Sequence, residues 1–415
     1  MSNLVLKGSV FDGEESYENG IVVVDQDKGV ITDVGPEDSV DLPHDAKVMG
    51  GSGQTILPGF MDAHVHFFGA KVYDLITWVT TPEPLVVLRS LAHLRNLLSA
   101  GFTTVRDLGS KGGAYLSRAS KEGIIEGPRV LSCAKSLGQT GGDDDPINLS
   151  LDISRELAYS YFCDGPWDCR KAVRKLVRDG ADVVKVYAAT GTTPESYASE
   201  GYRLKKQLTV EELKAIVDEA HRAGLKVAGH AIGEDSVANV VEAGVDSIEH
   251  GLGLTPELAE RIKKKNISYV PTLSVFLASP DLVTFINNKD LPDKLGIRRH
   301  FTTDLELAKE FGLRVVAGSD FGGTEAHPHG QNYREIAGLA RYFGNKEALR
   351  SATSNAAECL GLPNSGYLRK GYEADIVLVK GDPLQNIEAV SPANVSAVLK
   401  NGKIVSGSSD KLKQQ

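Results

Sequence analysis

Residues 61–69 read MDAHVHFFG, and they close an apolar run, TILPGF, that begins at Thr55. Such a run reads as a buried strand, and the period of two along a strand puts His64 and His66 on one face. Two imidazoles so placed can each give a nitrogen to a single cation. An HxH pair also occurs as two ordinary histidines, so its meaning depends on the rest of the chain. Four other stretches read as ends of buried strands, and each carries a polar group there. They are Lys185 in ADVVKVYAATG (181–191), His230 in LKVAGHAIG (225–233), His250 in VDSIEHG (245–251) and Asp320 in LRVVAGSDFGG (313–323).

Between these stretches the apolar spacing changes from two to three and four, the signature of helices. PEPLVVLRSLAHLRNLLSAG (82–101) ends at Gly101, a second helix spans about 167–179, and in LTVEELKAIVDEAHRAG (208–224) Thr209 and Glu212 make a capping box. FTTVRDLG, RVLSCAKSLG and SYVPTLS supply the remaining strands, giving eight that alternate with helices. That pattern predicts a (β/α)8 TIM barrel over residues 58–360, with its active site at the C-terminal ends of the strands. The five polar stretches put their groups at those ends. His44, His93, His221 and His300 fall on loops or helix faces and are set aside as structural.

Outward of the barrel, residues 4–35 are short β-rich runs split by DG, NG and KG, and VSAVLKNGKIVSG (395–407) has the same texture. Neither end has enough strands to bury a face alone. The expectation is one composite β-sandwich domain made from residues 1–57 and 361–415, with the termini close together.

With 415 residues, 43 glycines and 24% charged residues, the chain reads as an ordinary globular protein. A net charge of -9 without a Lys/Arg patch argues against nucleic-acid and anionic-membrane partners. No signal peptide and no long apolar run stand out, so a cytoplasmic location is expected. The expected partners are a small-molecule substrate and further copies of the chain. Cysteines 133, 163, 169 and 359 form no CxxC and read as reduced thiols, although Cys163 and Cys169 are spaced closely enough to pair.

Four imidazoles and a carboxylate exceed what one tetrahedral zinc needs, which suggests two divalent cations. Lys185 is the odd member, because an ammonium has no lone pair and repels a dication. A neutral amine can add carbon dioxide to give a carbamate, an anion with two oxygens able to bridge two metals. The alternative is an ammonium paired with Asp320 in a site without metal.

In order along the chain, LPGFMDAHVH, GADVVKVY, VAGHAIGEDSV, IEHG, AGSD and KGYEADIVLVKGDPL resemble the amidohydrolase superfamily. Within it the chain is most similar to the imidazolonepropionase-related branch that holds binuclear Xaa-Pro and other carboxy-terminal dipeptidases and ochratoxin-type amidases. Imidazolonepropionase and the adenosine-type deaminases use one metal and lack the barrel lysine, so VVKVY separates this chain from them. The resemblance implies that His64, His66 and Asp320 ligate the more buried of two ions, zinc being the expected metal. His230 and His250 would ligate the second, with carboxylated Lys185 bridging. It further implies attack by a metal-bridging hydroxide, with Asp320 taking the proton and returning it to the leaving amine.

The substrate side departs from that pattern. Related dipeptidases carry a His in a GGHGD-like loop after strand 3 and often a Tyr after the strand-5 His, where this chain has Asp143 in TGGDDD and Ile232 in HAIG. The three acids at 143–145 can favour a cationic or neutral substrate or simply cap a turn. Arg106 is a candidate anchor for an anion or a structural partner of Asp107. Tyr187, His327 and His329 are expected to line the pocket. The expected reaction is hydrolysis of an amide or peptide-like bond in a dipeptide, N-acyl amino acid or similar small molecule. An ester, lactone or phosphotriester hydrolase using the same binuclear centre is the alternative.

Overall fold

The structure is a computed structural model that describes residues 3–72, 74–189, 207–278, 283, 287 and 297–407. Strands β1 (Asn3–Phe11), β2 (Ser16–Asp25), β3 (Val30–Pro36) and β4 (Lys47–Pro58) open the chain. The middle holds β5 (Phe60–Val65), β6 (Phe102–Asp107), β7 (Arg129–Ser132), β8 (Ser136–Gly138), β9 (Ser160–Phe162), β10 (Val183–Tyr187), β11 (Lys226–Ile232), β12 (Ser247–Leu252), β13 (Ser268–Val270) and β14 (Arg314–Val315). Strands β15 (Ile376–Lys380), β16 (Val395–Lys400) and β17 (Lys403–Gly407) close it.

The two ends of the chain share one seven-stranded sheet in the order β17-β16-β15-β4-β1-β2-β3. Turn chemistry sets its hairpins. Asp12 Oδ1 accepts the N–H groups of Glu14 and Glu15 between β1 and β2. Asn401 and Gly402 both take positive φ, 49° and 74°, as a tight turn between β16 and β17 requires. Strand β15 joins the halves by pairing antiparallel to β4, Ile376 opposite Pro58. Alternation then divides its side chains between two cores. Ile376 and Leu378 pack with Leu4, Leu6 and Ile56 inside the terminal unit, whereas Val377 and Val379 join Leu57, Phe60 and Phe102 in the main core. Residues 1–2 and 408–415 lie outside the described residues.

The middle of the chain is α/β with parallel pairing. One sheet runs β14-β13-β12-β11-β10-β8-β9 and another β5-β6-β7. Helices lie between the strands, among them Glu83–Ser99, Pro166–Asp179 and Val210–Arg222. The capping box of the last is formed, with Thr209 Oγ1 accepting the Glu212 N–H and Glu212 accepting the Thr209 N–H. That helix turns Leu213, Ile216, Val217 and Ala220 inward at the expected spacing, and each large apolar side chain so buried stabilises by about 1.5–3 kcal/mol.

Backbone bonds link the two sheets at both margins. The Ala63 N–H donates to Ala317 O and the Asp320 N–H to His64 O, tying β5 to the segment after β14. At the other side the Asp182 N–H, just before β10, donates to Ser132 O of β7.

Three strands differ from the sequence reading, the first being LRVVAGSDFGG, which is a strand only over Arg314–Val315 and leaves Asp320 beyond its end. The run 129–138 breaks into β7 and β8, because Ala134 takes φ +60° and ends the regular ladder. Strand β8 then pairs with β10 and with β9, a short strand the sequence reading did not contain. SYVPTLS is a strand only through Val270; Thr272 at φ +52° turns the chain into the helix Leu273–Leu277. Among the described residues no helix is long and apolar enough to cross a membrane.

Candidate metal centre

His64 lies within β5 and His66 one residue beyond its end, and both are buried. Asp320 meets them across the margin of the sheet: its Oδ1 is 3.3 Å from His64 Nε2 and 3.1 Å from His66 Nε2. His250, within β12, brings its ring centroid within 5.2 Å of the His64 ring. Ligand atoms of His64, His250 and Asp320 all fall within 4.8 Å of one another. The His230 ring, from β11, is 4.5 Å from that of His250. Lys185 on β10 is only 1% exposed. Its Nζ stands 3.4 Å from His64 Nε2 and 5.0 Å from the centre of the Tyr187 ring.

Each of three imidazoles is held from behind. His66 Nδ1 is 2.8 Å from Gly109 O, His250 Nδ1 2.8 Å from Thr272 Oγ1, and His64 Nδ1 2.8 Å from Glu249 Oε2. A ring whose Nδ1–H is engaged this way turns its Nε2 lone pair to the front, as a ligand must. His250 and Asp320 are both in the left-handed region, at φ +66° and +58°. Backbone strain of this kind, about 1–3 kcal/mol per residue, collects where side chains must be aimed against the local regularity.

The electrostatics suit ligands better than free charges. Burial, with Lys185 adjacent, holds His64 well below the usual imidazole range, and burial with His230 and His64 adjacent does the same to His250. Burial is also the main cause that lowers the Lys185 ammonium, against the pull of Glu249 and Asp320. For Asp320 burial works upward, yet His64, His66 and Lys185 together hold its carboxyl below the ordinary range. His66 goes the other way, since the hydrogen bond and charge of Asp320 outweigh its burial. Buried imidazoles and one carboxylate are a donor set that divalent cations fit, and burial favours the neutral Lys185 amine beside them.

The residues expected to touch substrate fare unequally. Tyr187 is buried with its ring 4.9 Å from that of His230, and Ile232 follows His230 at the end of β11, half-buried. Asp143 is half-buried in the loop after β8. Its neighbours hold that loop together: Asp144 accepts from Ser136 Oγ and Tyr159 OH at 2.8 and 2.9 Å, and Asp145 accepts the Gly141 N–H and the Ser154 hydroxyl. So the turn-capping reading applies to Asp144 and Asp145.

His327 is buried with Nε2 3.4 Å from Val275 O and its ring beside Phe321. His329 lies behind the imidazoles instead of lining a pocket. Its Nε2 donates to the backbone carbonyl of His66 at 2.9 Å, and burial beside His93 lowers it to about 3. Arg106 is also corrected. It does not face an open site, nor does it pair with Asp107, whose carboxylate accepts from Ser110 and Ser132. Its guanidinium is buried beneath His64, donating to Ala63 O, Ser247 Oγ and Glu249 Oε1 at 2.6, 3.1 and 2.8 Å.

Glu249 is the residue sequence reasoning missed. Strict alternation sends Glu249 and His250 to opposite faces of β12, and only His250 then reaches the site. The left-handed turn at His250 and Gly251, with the register shift opposite Ala231 and Ile232, breaks that alternation and brings both toward His64. The available signal was the carboxylate itself, since a charge on a buried strand needs a partner. Asp62 was also passed over. It accepts the backbone N–H groups of His64 and Ser319 and the Asn332 amide, fastening β5 to the Asp320 segment.

A family model described as "Amidohydrolase family" matches residues 55–405. The chain is 31% identical to ochratoxinase from Aspergillus niger over 428 aligned positions, covering 95% of this chain and 84% of that one. The crystal structure of that ochratoxinase superposes with a TM-score of 0.86 at 27% identity, over 98% of this chain and 96% of the other. A prolidase complexed with N-methylphosphonate-L-proline gives 0.84 at 32% identity, over 97% and 99%. A Xaa-Pro dipeptidase with methionine bound in its active site gives 0.82 at 28%, over 98% and 100%.

Proposed function

The chain belongs to the amidohydrolase family, and from that premise we propose that it is a metal-dependent hydrolase of an amide or peptide-like bond in a small molecule. The observation that carries the reading is that His64, His250 and Asp320 bring ligand atoms within 4.8 Å of one another, with Lys185 against His64, His66 against Asp320 and His230 against His250. The ochratoxinase and prolidase likenesses support the bond type.

His64, His66 and Asp320 would hold one divalent cation and His230 and His250 a second, with Lys185 between them as its carbamate. Zinc suits so imidazole-rich a set. When bound, such a pair supplies Lewis acidity and lowers the pKa of a shared water. The chain's own groups do the remainder. Burial disfavours the Lys185 ammonium, and the amine left after loss of that proton can add carbon dioxide, giving the carbamate and releasing a second proton. Asp320, within hydrogen-bond reach of both β5 imidazoles, accepts a proton as the nucleophile forms and passes it to the departing nitrogen. Tyr187, Asp143, Ile232 and His327 border the place where the acyl group would sit.

The same reading closes residues 58–360 into a (β/α)8 TIM barrel, with residues 1–57 and 361–415 as a composite β-sandwich domain. Support comes from the bonds that join β5 to the Asp320 segment and β7 to β10, and from the sheet that unites the chain ends. The deciding experiment is a screen of N-acyl amino acids, dipeptides, lactones and a phosphotriester with zinc-reconstituted protein. Turnover of amide substrates is expected, and activity restricted to phosphoesters would overturn the proposal.

A further inference from the structure

Of the three imidazoles held through Nδ1, His64 alone leans on a carboxylate, the others leaning on a carbonyl and a hydroxyl. Glu249 is fully buried and accepts at both oxygens: His64 Nδ1 at Oε2, and Arg106 Nη2 and Ser247 Oγ at Oε1. Arg106 reaches further, because its Nε donates to the carbonyl of Ala63, the residue before His64. One ion pair therefore grips the side chain of His64, the backbone beside it, and the strand that carries His250.

We infer that Arg106 and Glu249 are positioning residues that fix His64 in the Nδ1–H tautomer, so that its Nε2 lone pair faces the metal centre. The argument is one of donor and acceptor inventory. A carboxylate only accepts, and Glu249 Oε2 at 2.8 Å from Nδ1 is closer than Asp320 Oδ1 at 3.3 Å from Nε2, so the hydrogen belongs on Nδ1 and the opposite nitrogen is left bare. A carboxylate partner also makes the imidazole a more electron-rich ligand than a carbonyl would. Arg106, 2.8 Å from the other oxygen, balances the carboxylate's charge and cannot itself be deprotonated. Arginine suits this place because its fork serves Glu249 and Ala63 together, which lysine cannot do.

The inference rests on the metal-dependent reading above, and its test separates the two. In zinc-free protein labelled with ¹⁵N-histidine, long-range proton–nitrogen correlations report the tautomer of His64, assigned by its loss in His64→Asn. Protonation at Nδ1 is expected, and a ring protonated at Nε2 would overturn the inference whatever the protein hydrolyses. Zinc affinity measured by chelator competition should then fall about 10–100-fold in Glu249→Gln. Arg106→Lys, which keeps the charge and loses the fork, should fall less; it also serves if Glu249→Gln does not fold. Variants that fold as the parent by circular dichroism and bind zinc within twofold of it would reduce the pair to a structural brace. Wild-type protein that shows the Nδ1–H ring yet takes up no divalent cation would overturn the proposed function and leave the tautomer assignment standing.

Discussion

At the scale of single residues, Lys185 is the group on which a two-metal site turns. An ammonium there would face two dications, and unit charges about 4 Å apart interact by about 4 kcal/mol even at an effective dielectric of 20. Carboxylation reverses that sign. Lys185→Ala should lose most bound zinc and nearly all turnover, and a short carboxylic acid in the medium should restore part of both. Lys135, whose Nζ donates to Ala158 O and lies against the Tyr161 ring, is the control that should show no such rescue. Two zinc ions per chain and parental turnover in Lys185→Ala would remove the bridge from the mechanism. Asp143, half-buried in the loop after β8 at the position where related dipeptidases carry a His, is the residue where substrate choice should be decided. Asp143→His is expected to change the ranking of amide substrates while leaving zinc content unchanged. Unchanged kcat/KM across the panel would make the whole loop a turn and nothing more.

At the scale of elements, the site depends on how closely β5 and the Asp320 segment approach. Gly318 is the contact point: a Cβ there would lie 2.4 Å from Val270 Cγ1 and 2.9 Å from His64 Cβ. Gly318→Ala should cost about 1–3 kcal/mol of stability and weaken zinc binding as His64 is pushed aside. Thermal unfolding and metal analysis read the two effects separately. Behind the same strands Glu335 accepts the N–H groups of Leu273 and Ser274, fixing the start of the helix after Thr272, the residue that holds His250. Burial raises its carboxyl from the usual 4.5 to about 8. A folded pKa above the unfolded one means a contribution that is complete below about pH 4.5 and lost as pH climbs through about 8. The Tm advantage of the parent over Glu335→Gln should therefore shrink from about pH 5 to about pH 8 and level off above it. A constant difference over that range would show that Glu335 does not titrate there.

For the molecule as a whole, β15 is the seam. It completes the terminal sheet through β4 and gives Val377 and Val379 to the core that surrounds β5 and β6. A chain ended before Ile376 would leave the β4 edge unpaired and uncover that apolar face, which is a template for aggregation. Such a truncation is expected to be insoluble on expression, and a soluble, zinc-binding product would show that the body folds without its terminal sheet.

The sequence alone determined the α/β alternation, the sharing of texture between the two chain ends, and the placing of His64, Lys185, His230 and His250 on strands, with His66 and Asp320 beyond strand ends. These follow from local rules: the period of a strand, the spacing of a helix, and turn residues such as Asn401 and Gly402, whose positive φ the chain states outright. What lies behind the site could not be read this way. Arg106 looked like an anchor because its strand-end position was visible and its partner, 143 residues away, was not. His329 looked like pocket lining until its bond to the His66 carbonyl put it at the back. Glu249 was hidden by an alternation that His250 breaks at φ +66°, and Ala134 split a strand by the same device. Periodicity describes regular backbone, whereas buried charges find their partners across the fold and strained residues re-aim the chain one position at a time. Those two things the tertiary structure alone decides.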